Sequence, residues 1–160
     1  MTEARGFFVG EVVRTLDDRY RISIPSELLE PAAAAGDYML VKERPGCLSL
    51  WEAGSWQAQL DAGVELVRRK IDAGRLEGRI EEVQLLGRLL STRHRRVQLA
   101  GRGRLLIPEG FREFLAAEPG GNVTLVGAAL CLEIWHPDRW RVYLEERMPE
   151  FRQLLDRLSG

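Results

Sequence analysis

Apolar and polar residues alternate along Arg21-Ile22-Ser23-Ile24, a period of two that predicts a strand with Ile22 and Ile24 buried and Arg21 and Ser23 on the opposite face. The preceding stretch, Phe7 to Leu16, is rich in β-branched residues and also reads as a strand. Asp17-Asp18-Arg19-Tyr20 between them has turn chemistry, so a hairpin with a charged tip is expected. Pro25 stops the second strand and suits a helix start. Leu28, Leu29 and Ala32 then share one side of a helix predicted from Ser26 to Ala35, which Gly36 ends. Tyr38 to Lys42 and Leu48 to Trp51 are further strands, joined by a turn at Glu43-Arg44-Pro45-Gly46. From Ser55 to Leu90 the period lengthens: Leu60, Val64, Val67 and Ile71, then Ile80, Val83, Leu86 and Leu90, are spaced in threes and fours. Two amphipathic helices interrupted near Gly74 to Gly78 follow from this, with apolar stripes that suit either packing on the core or a subunit interface.

The plan then repeats. Strands are predicted at Arg95 to Leu99 and Arg104 to Ile107 around a turn at Ala100 to Gly103, and a helix from Pro108 to Ala117. Strands at Val123 to Val126 and Leu130 to Trp135 complete the second half. A last helix opens at His136 to Arg139 and an amphipathic tail carries Phe151, Leu154, Leu155 and Leu158. The repetition is literal as well as periodic. Leu16, Arg19, Arg21, Ile24 and Pro25 recur at one constant spacing as Leu99, Arg102, Arg104, Ile107 and Pro108. Leu40-Val41 recurs as Leu125-Val126, Cys47-Leu48-Ser49-Leu50-Trp51 as Cys131-Leu132-Glu133-Ile134-Trp135, and Trp56 as Trp140. Four short strands and one helix cannot bury two sheet faces alone, so the halves are expected to interlock around one core. This divides the chain into a first repeat (10–55), a helical linker (56–92), a second repeat (93–137) and a C-terminal helical segment (138–160).

Composition narrows the class. At 160 residues and 45% hydrophobic, the chain can bury one sizeable core. No run approaches the length of a membrane span and no signal peptide is evident, so a cytoplasmic protein without a membrane partner is expected. Cys47 and Cys131 hold equivalent repeat positions and read as buried free thiols. The net charge of −1 conceals a strong asymmetry: Ser91 to Pro108 contains Arg93, His94, Arg95, Arg96, Arg102 and Arg104 and no acid. Nearly all the cations are arginine, whose forked donors suit phosphate and guanine edges. Catalysis is not expected. Two isolated histidines, no metal-ligand spacing, no serine elbow and no phosphate-binding glycine loop are present, and Asp17-Asp18 in a turn suits capping better than acid–base work. No cofactor is implied.

Two hairpin motifs ending in an apolar strand and Pro, together with Leu125-Val126-Gly127, Leu132-Glu133-Ile134-Trp135 and Trp140, resemble the MraZ family of bacterial transcriptional regulators over about Gly10 to Leu144. The resemblance implies an α+β fold: an intertwined pseudo-two-fold β-barrel of swapped-hairpin (SpoVT/AbrB-like) repeats with flanking helices. It also implies a homo-oligomeric ring and nucleoid-associated binding of double-stranded promoter DNA, with repression of the division and cell-wall gene cluster through repeated boxes. On the family motif, Arg19, Arg21, Arg102 and Arg104 are the expected DNA-binding residues, with Arg14, Arg93, Arg95 and Arg96 widening the patch. Each motif departs from the family pattern once. Tyr20 stands where the family has Gly, so this turn is expected to be reshaped or strained and the ring to contact nucleic acid. Ala100 stands where the family has Asp, which removes a turn hydrogen bond and a negative charge. The competing expectation is an oligomeric assembly or protein-interaction module whose DNA motifs are vestigial. Salt dependence separates the two, because phosphate contacts weaken with salt and apolar assembly does not.

Overall fold

The computed structural model describes residues 6–29 and 36–160. In chain order the strands are β1 (Glu11–Thr15), β2 (Arg21–Ser23), β3 (Asp37–Arg44), β4 (Cys47–Glu52), β5 (His94–Gln98), β6 (Arg104–Leu106), β7 (Asn122–Gly127) and β8 (Leu132–Trp135). The helices are α1 (Ser26–Leu29), α2 (Ala53–Asp72), α3 (Ile80–Thr92), α4 (Phe111–Leu115), α5 (Pro137–Arg147) and α6 (Phe151–Ser159). The remainder of the helix expected after Pro25 falls on 30–35, outside the described residues. The second-half counterpart is shorter than expected, starting at Phe111 rather than Pro108.

The expected β1–β2 hairpin does not form. Instead β1 pairs antiparallel with β7, and β2 pairs antiparallel with β6, so the first two strands of each repeat find their partners in the other repeat. The larger sheet runs β1-β7-β8-β4-β3-β5 and the β2–β6 ribbon is separate. Exchanging the repeats reverses the order of the larger sheet without changing it. Register fixes the pseudo-two-fold: Ser49 pairs with its repeat equivalent Glu133, and Ile22 with its equivalent Leu105.

The sheet is open, not the closed barrel expected from the resemblance. β1 and β5 are free edges, and only short links tie them to the ribbon: Asp17 N–H donates to Arg21 O (3.0 Å), Ala100 N–H to Arg104 O (2.8 Å) and Arg104 N–H back to Ala100 O (3.2 Å). Closure would require full ladders at those two places, where the chain is committed to tight turns.

Alternation explains the core. Tyr38, Leu40, Leu48, Leu50, Val123, Leu125, Leu132 and Ile134 project from one face of the larger sheet, and Ile22, Ile24, Leu105 and Ile107 close over them from the ribbon. Phe111 and Leu115 of α4 fill the same space. Cys47 and Cys131 are buried free thiols, as expected, and burial raises both thiol pKa values, that of Cys131 to about 12. Helix α2 starts where the Glu52 carboxylate accepts from Gly54 N–H (3.0 Å) and Ser55 N–H (3.3 Å). The stripes of the linker and tail helices are not absorbed by the core: Leu66, Ile80, Leu85, Leu89, Phe151 and Leu158 are exposed.

Ile22 and Leu105 face each other across the axis, and both are buried. Leu105→Ala is expected to lower the free energy of unfolding by about 3–5 kcal/mol in denaturant titrations. Leu106→Ala, on the exposed face of the same strand, should cost little, and equal effects would contradict the packing described.

Candidate nucleic-acid interface

Because β2 and β6 turn Ile22 and Leu105 inward, the other face of the ribbon presents Arg21, Ser23, Arg104 and Leu106 to the surface. Arg21 stands opposite Leu106 and Arg104 opposite Ser23, so the two motif arginines are diagonal neighbours across a ribbon built from both repeats. The turns that carry Arg19 and Arg102 lie at opposite ends of this ribbon. Ile107 N–H donates to Tyr20 O, and Ile24 N–H donates to Gly103 O, each at 2.9 Å. Tertiary pairing therefore gathers all four motif arginines around one short ribbon, where the sequence pattern suggested two separate hairpins.

The two turns differ chemically. In the first, Asp17 Oδ1 accepts from Arg19 N–H (2.8 Å) and Arg21 N–H (2.9 Å), and Asp17 Oδ2 accepts from Arg21 Nε–H (2.9 Å). These donors, with the Arg21 backbone amide foremost, lower the pKa of the Asp17 carboxyl. In the second turn Ala100 offers no carboxylate. Arg102 and Arg104 are exposed there, without an ion-pair partner among the described residues. Arg19 is likewise exposed and unpaired within that set.

Tyr20 has φ +60° and its repeat equivalent Gly103 has φ +72°, so both turns need the left-handed conformation. The turns are not identical, however: Arg102 also has a positive φ, +65°, whereas its equivalent Arg19 does not, so the first turn follows a different path. It holds a tyrosine in a conformation that costs a non-glycine residue about 1–2 kcal/mol. At Gly103 a Cβ would come within 2.5 Å of Ile24 O, so glycine is required there for space as well. The Tyr20 ring packs against the core, and the Arg112 guanidinium carbon lies 4.3 Å above its centroid, contacts that offset the strain. Arg112 lies outside the motif and was not legible as a site residue. Its only sequence signal is that it occupies the repeat position of Leu29.

The remaining expected site residues are dispersed. Arg14 donates to the neighbouring Val13 carbonyl (3.1 Å) and shares the lining of an open cleft of about 870 Å³ with Arg102. Arg93 pairs with Glu43 (3.5 Å) and donates through Nε to Lys42 O (3.0 Å), and Arg96 pairs with Asp37 (3.0 Å). Arg95 lies over the Phe111 ring, 5.8 Å from its centroid. His94 sits against Trp56 with ring centroids 4.6 Å apart. Burial and then the Arg93 charge depress its pKa, which favours the neutral imidazole. Among the described residues no cluster of His, Cys, Asp or Glu could hold a metal ion.

Fold and surface define a duplicated α+β protein whose two repeats jointly build a ribbon edged by arginine-bearing turns. Comparison with known proteins identifies the family. Residues 92–159 match the family model described as "MraZ protein, putative antitoxin-like". Transcriptional regulator MraZ of Roseiflexus castenholzii is 31% identical over 134 residues, covering 84% of each chain. The regulator of the same name from Methylobacillus flagellatus is 30% identical over 156 residues, 96% of this chain and 97% of its own. That of Heliobacterium modesticaldum is 25% identical over 151 residues. The chain belongs to the MraZ family.

Asp17 is an exposed group whose folded-state pKa lies below its ordinary value, so the stability it contributes is present above about pH 4 and is lost as pH falls through the depressed value. Asp17→Asn is accordingly expected to lower Tm at pH 7 and to match the parent protein once the pH is below the folded-state pKa. A Tm difference that persists unchanged into strong acid would contradict the capping role.

Proposed function

We propose that this chain is a DNA-binding transcription regulator that acts through the outer face of the β2–β6 ribbon and its two flanking turns. The observation that carries this reading is the grouping of Arg19, Arg21, Arg102 and Arg104 around one ribbon, three of them exposed and free of ion pairs among the described residues. A two-stranded ribbon is of a size that enters a major groove, and arginines there serve both phosphates and guanine edges. The relatives' shared name, transcriptional regulator, supports a regulatory and non-enzymatic role. On this reading Arg14 extends the contact beside Arg102. Arg93, Arg95 and Arg96 contribute a weaker, partly neutralised field, and Tyr20 acts from within the turn rather than on a base.

The proposed target is repeated promoter boxes of the division and cell-wall gene cluster, bound to repress it at the nucleoid. The proposed assembly is a homo-oligomeric ring. Apolar residues exposed on α2, α3 and α6 support association between copies, and linked weak contacts suit a repeated target. No helix among the described residues is long and apolar enough to cross a membrane.

The test is binding of the purified protein to duplex DNA from immediately upstream of its own coding sequence, against scrambled DNA of equal length, over a salt series. Preference for the upstream duplex is expected, with log K falling linearly in log salt by about 0.9 for each phosphate contacted. The Arg21→Ala/Arg104→Ala double variant should lose about tenfold or more in affinity with its oligomeric state unchanged. Unaltered affinity in that variant would sink the site assignment. Absence of binding by a folded oligomer would favour an assembly module with vestigial motifs.

A further inference from the structure

The two turns carry unequal charge. Ala100 to Arg104 holds two arginines and no acid, whereas in Asp17 to Arg21 two arginines are balanced by two aspartates. Asp17 is bonded to Arg21 directly, which leaves the first turn without net charge of its own. If both turns are to meet a polyanion, the first lacks what the second has.

We propose that Arg112 is a phosphate-contacting residue at the first turn, shelved on the Tyr20 ring and supplying the positive charge that the turn itself lacks. The inference rests on the DNA-binding reading above and names one further residue of that interface.

Geometry and pseudo-symmetry carry it independently of charge. Arg112 Nε–H donates to Ile107 O (2.6 Å), and Ile107 N–H in turn donates to Tyr20 O (2.9 Å), so two hydrogen bonds link side chain, strand end and turn. The guanidinium carbon lies 4.3 Å from the centroid of the Tyr20 ring. One of five donors is thereby used. The terminal Nη groups make no hydrogen bond or ion pair among the described residues, and the side chain is only half-buried. At the other end of the ribbon, the repeat equivalents are Leu29 and Gly103, and a Leu29 methyl lies 3.4 Å from where a Gly103 Cβ would be. Platform and cation thus replace a glycine and an aliphatic residue together, at the turn whose own charge is balanced. A guanidinium fixed by stacking and one hydrogen bond keeps a preorganised fork for a phosphate.

The experiment measures affinity and salt slope for the same upstream and scrambled duplexes with four variants: Arg112→Leu, Arg112→Gln, Arg112→Lys and Arg102→Ala/Arg104→Ala. Arg112→Leu should weaken binding to both duplexes by about 3- to 10-fold and flatten the salt slope by about 0.9 per engaged turn, because a phosphate contact is lost whatever the sequence. Arg112→Gln can still donate to Ile107 O and carries the same test should the Leu variant fail to fold. Arg112→Lys should restore the slope. Unchanged affinity and slope in Arg112→Gln, alongside lost binding in Arg102→Ala/Arg104→Ala, would overturn this proposal and leave the DNA reading intact. Lost affinity with an unaltered slope would also overturn it, by making Arg112 only a structural support. Full binding by every variant would overturn both this proposal and the assignment of the ribbon and its turns as the DNA-contacting site, whereas absence of binding by the folded parent protein would overturn the DNA reading itself.

Discussion

Pairing of strands across the repeat boundary is the constraint from which the rest of this structure follows. Neither repeat contains enough surface to bury both faces of its strands, and β1 and β2 do not satisfy each other's backbone groups. Each takes its ladder from the other repeat, and the apolar faces this creates meet in a single core around Ile22 and Leu105. The pseudo-two-fold axis is a consequence: two copies of one sequence pattern, each needing a partner, satisfy each other in the same register.

That constraint also builds the interface. Arg21 and Arg104 are diagonal neighbours only because β2 lies beside β6, and the turns bearing Arg19 and Arg102 sit at opposite ends only because the strands are antiparallel. Duplication then allows the two ends to diverge. One keeps the capping aspartate and tolerates Tyr20 at φ +60° with Arg112 above it; the other keeps Gly103 against Ile24 O and leaves its arginines without an ion pair among the described residues. On the proposed function, a preorganised, internally bonded turn at one end and a cationic turn at the other would give a single protomer two unequal contacts. An asymmetric DNA site would be matched by such a pair better than by two identical ones.

Much of the fold was legible because it depends on short-range periodicity. The alternation at Arg21 to Ile24 placed Ile22 and Ile24 inside and Arg21 outside, the threes and fours from Leu60 to Leu90 marked two helices, and the echo of Leu16 to Pro25 at Leu99 to Pro108 revealed the duplication. The capping role of Asp17 was legible too, since turn chemistry is local. The hairpin expectation failed for a physical reason: adjacent strands joined by a short turn usually pair, but here β1 takes its ladder from β7 and β2 from β6, and their apolar side chains join one core shared by both repeats. Closure into a barrel failed at the same points, where one or two backbone hydrogen bonds replace ladders. The basic run from Arg93 to Arg96 looked uniformly available in sequence, yet Glu43 and Asp37, distant along the chain, pair with two of its members.

By itself, then, the sequence determined the repeat, most of the element types, the inward and outward faces of the Arg21 to Ile24 strand, and the four arginines of the motif, because these rest on periodicity and composition within a few residues. Only the tertiary structure decided which strands pair, that the sheet stays open, that Tyr20 turns inward beneath Arg112, and which arginines retain free charge. Those outcomes depend on contacts between residues far apart in the chain, and such contacts are selected by the total apolar burial and charge pairing of the folded molecule rather than by local preference.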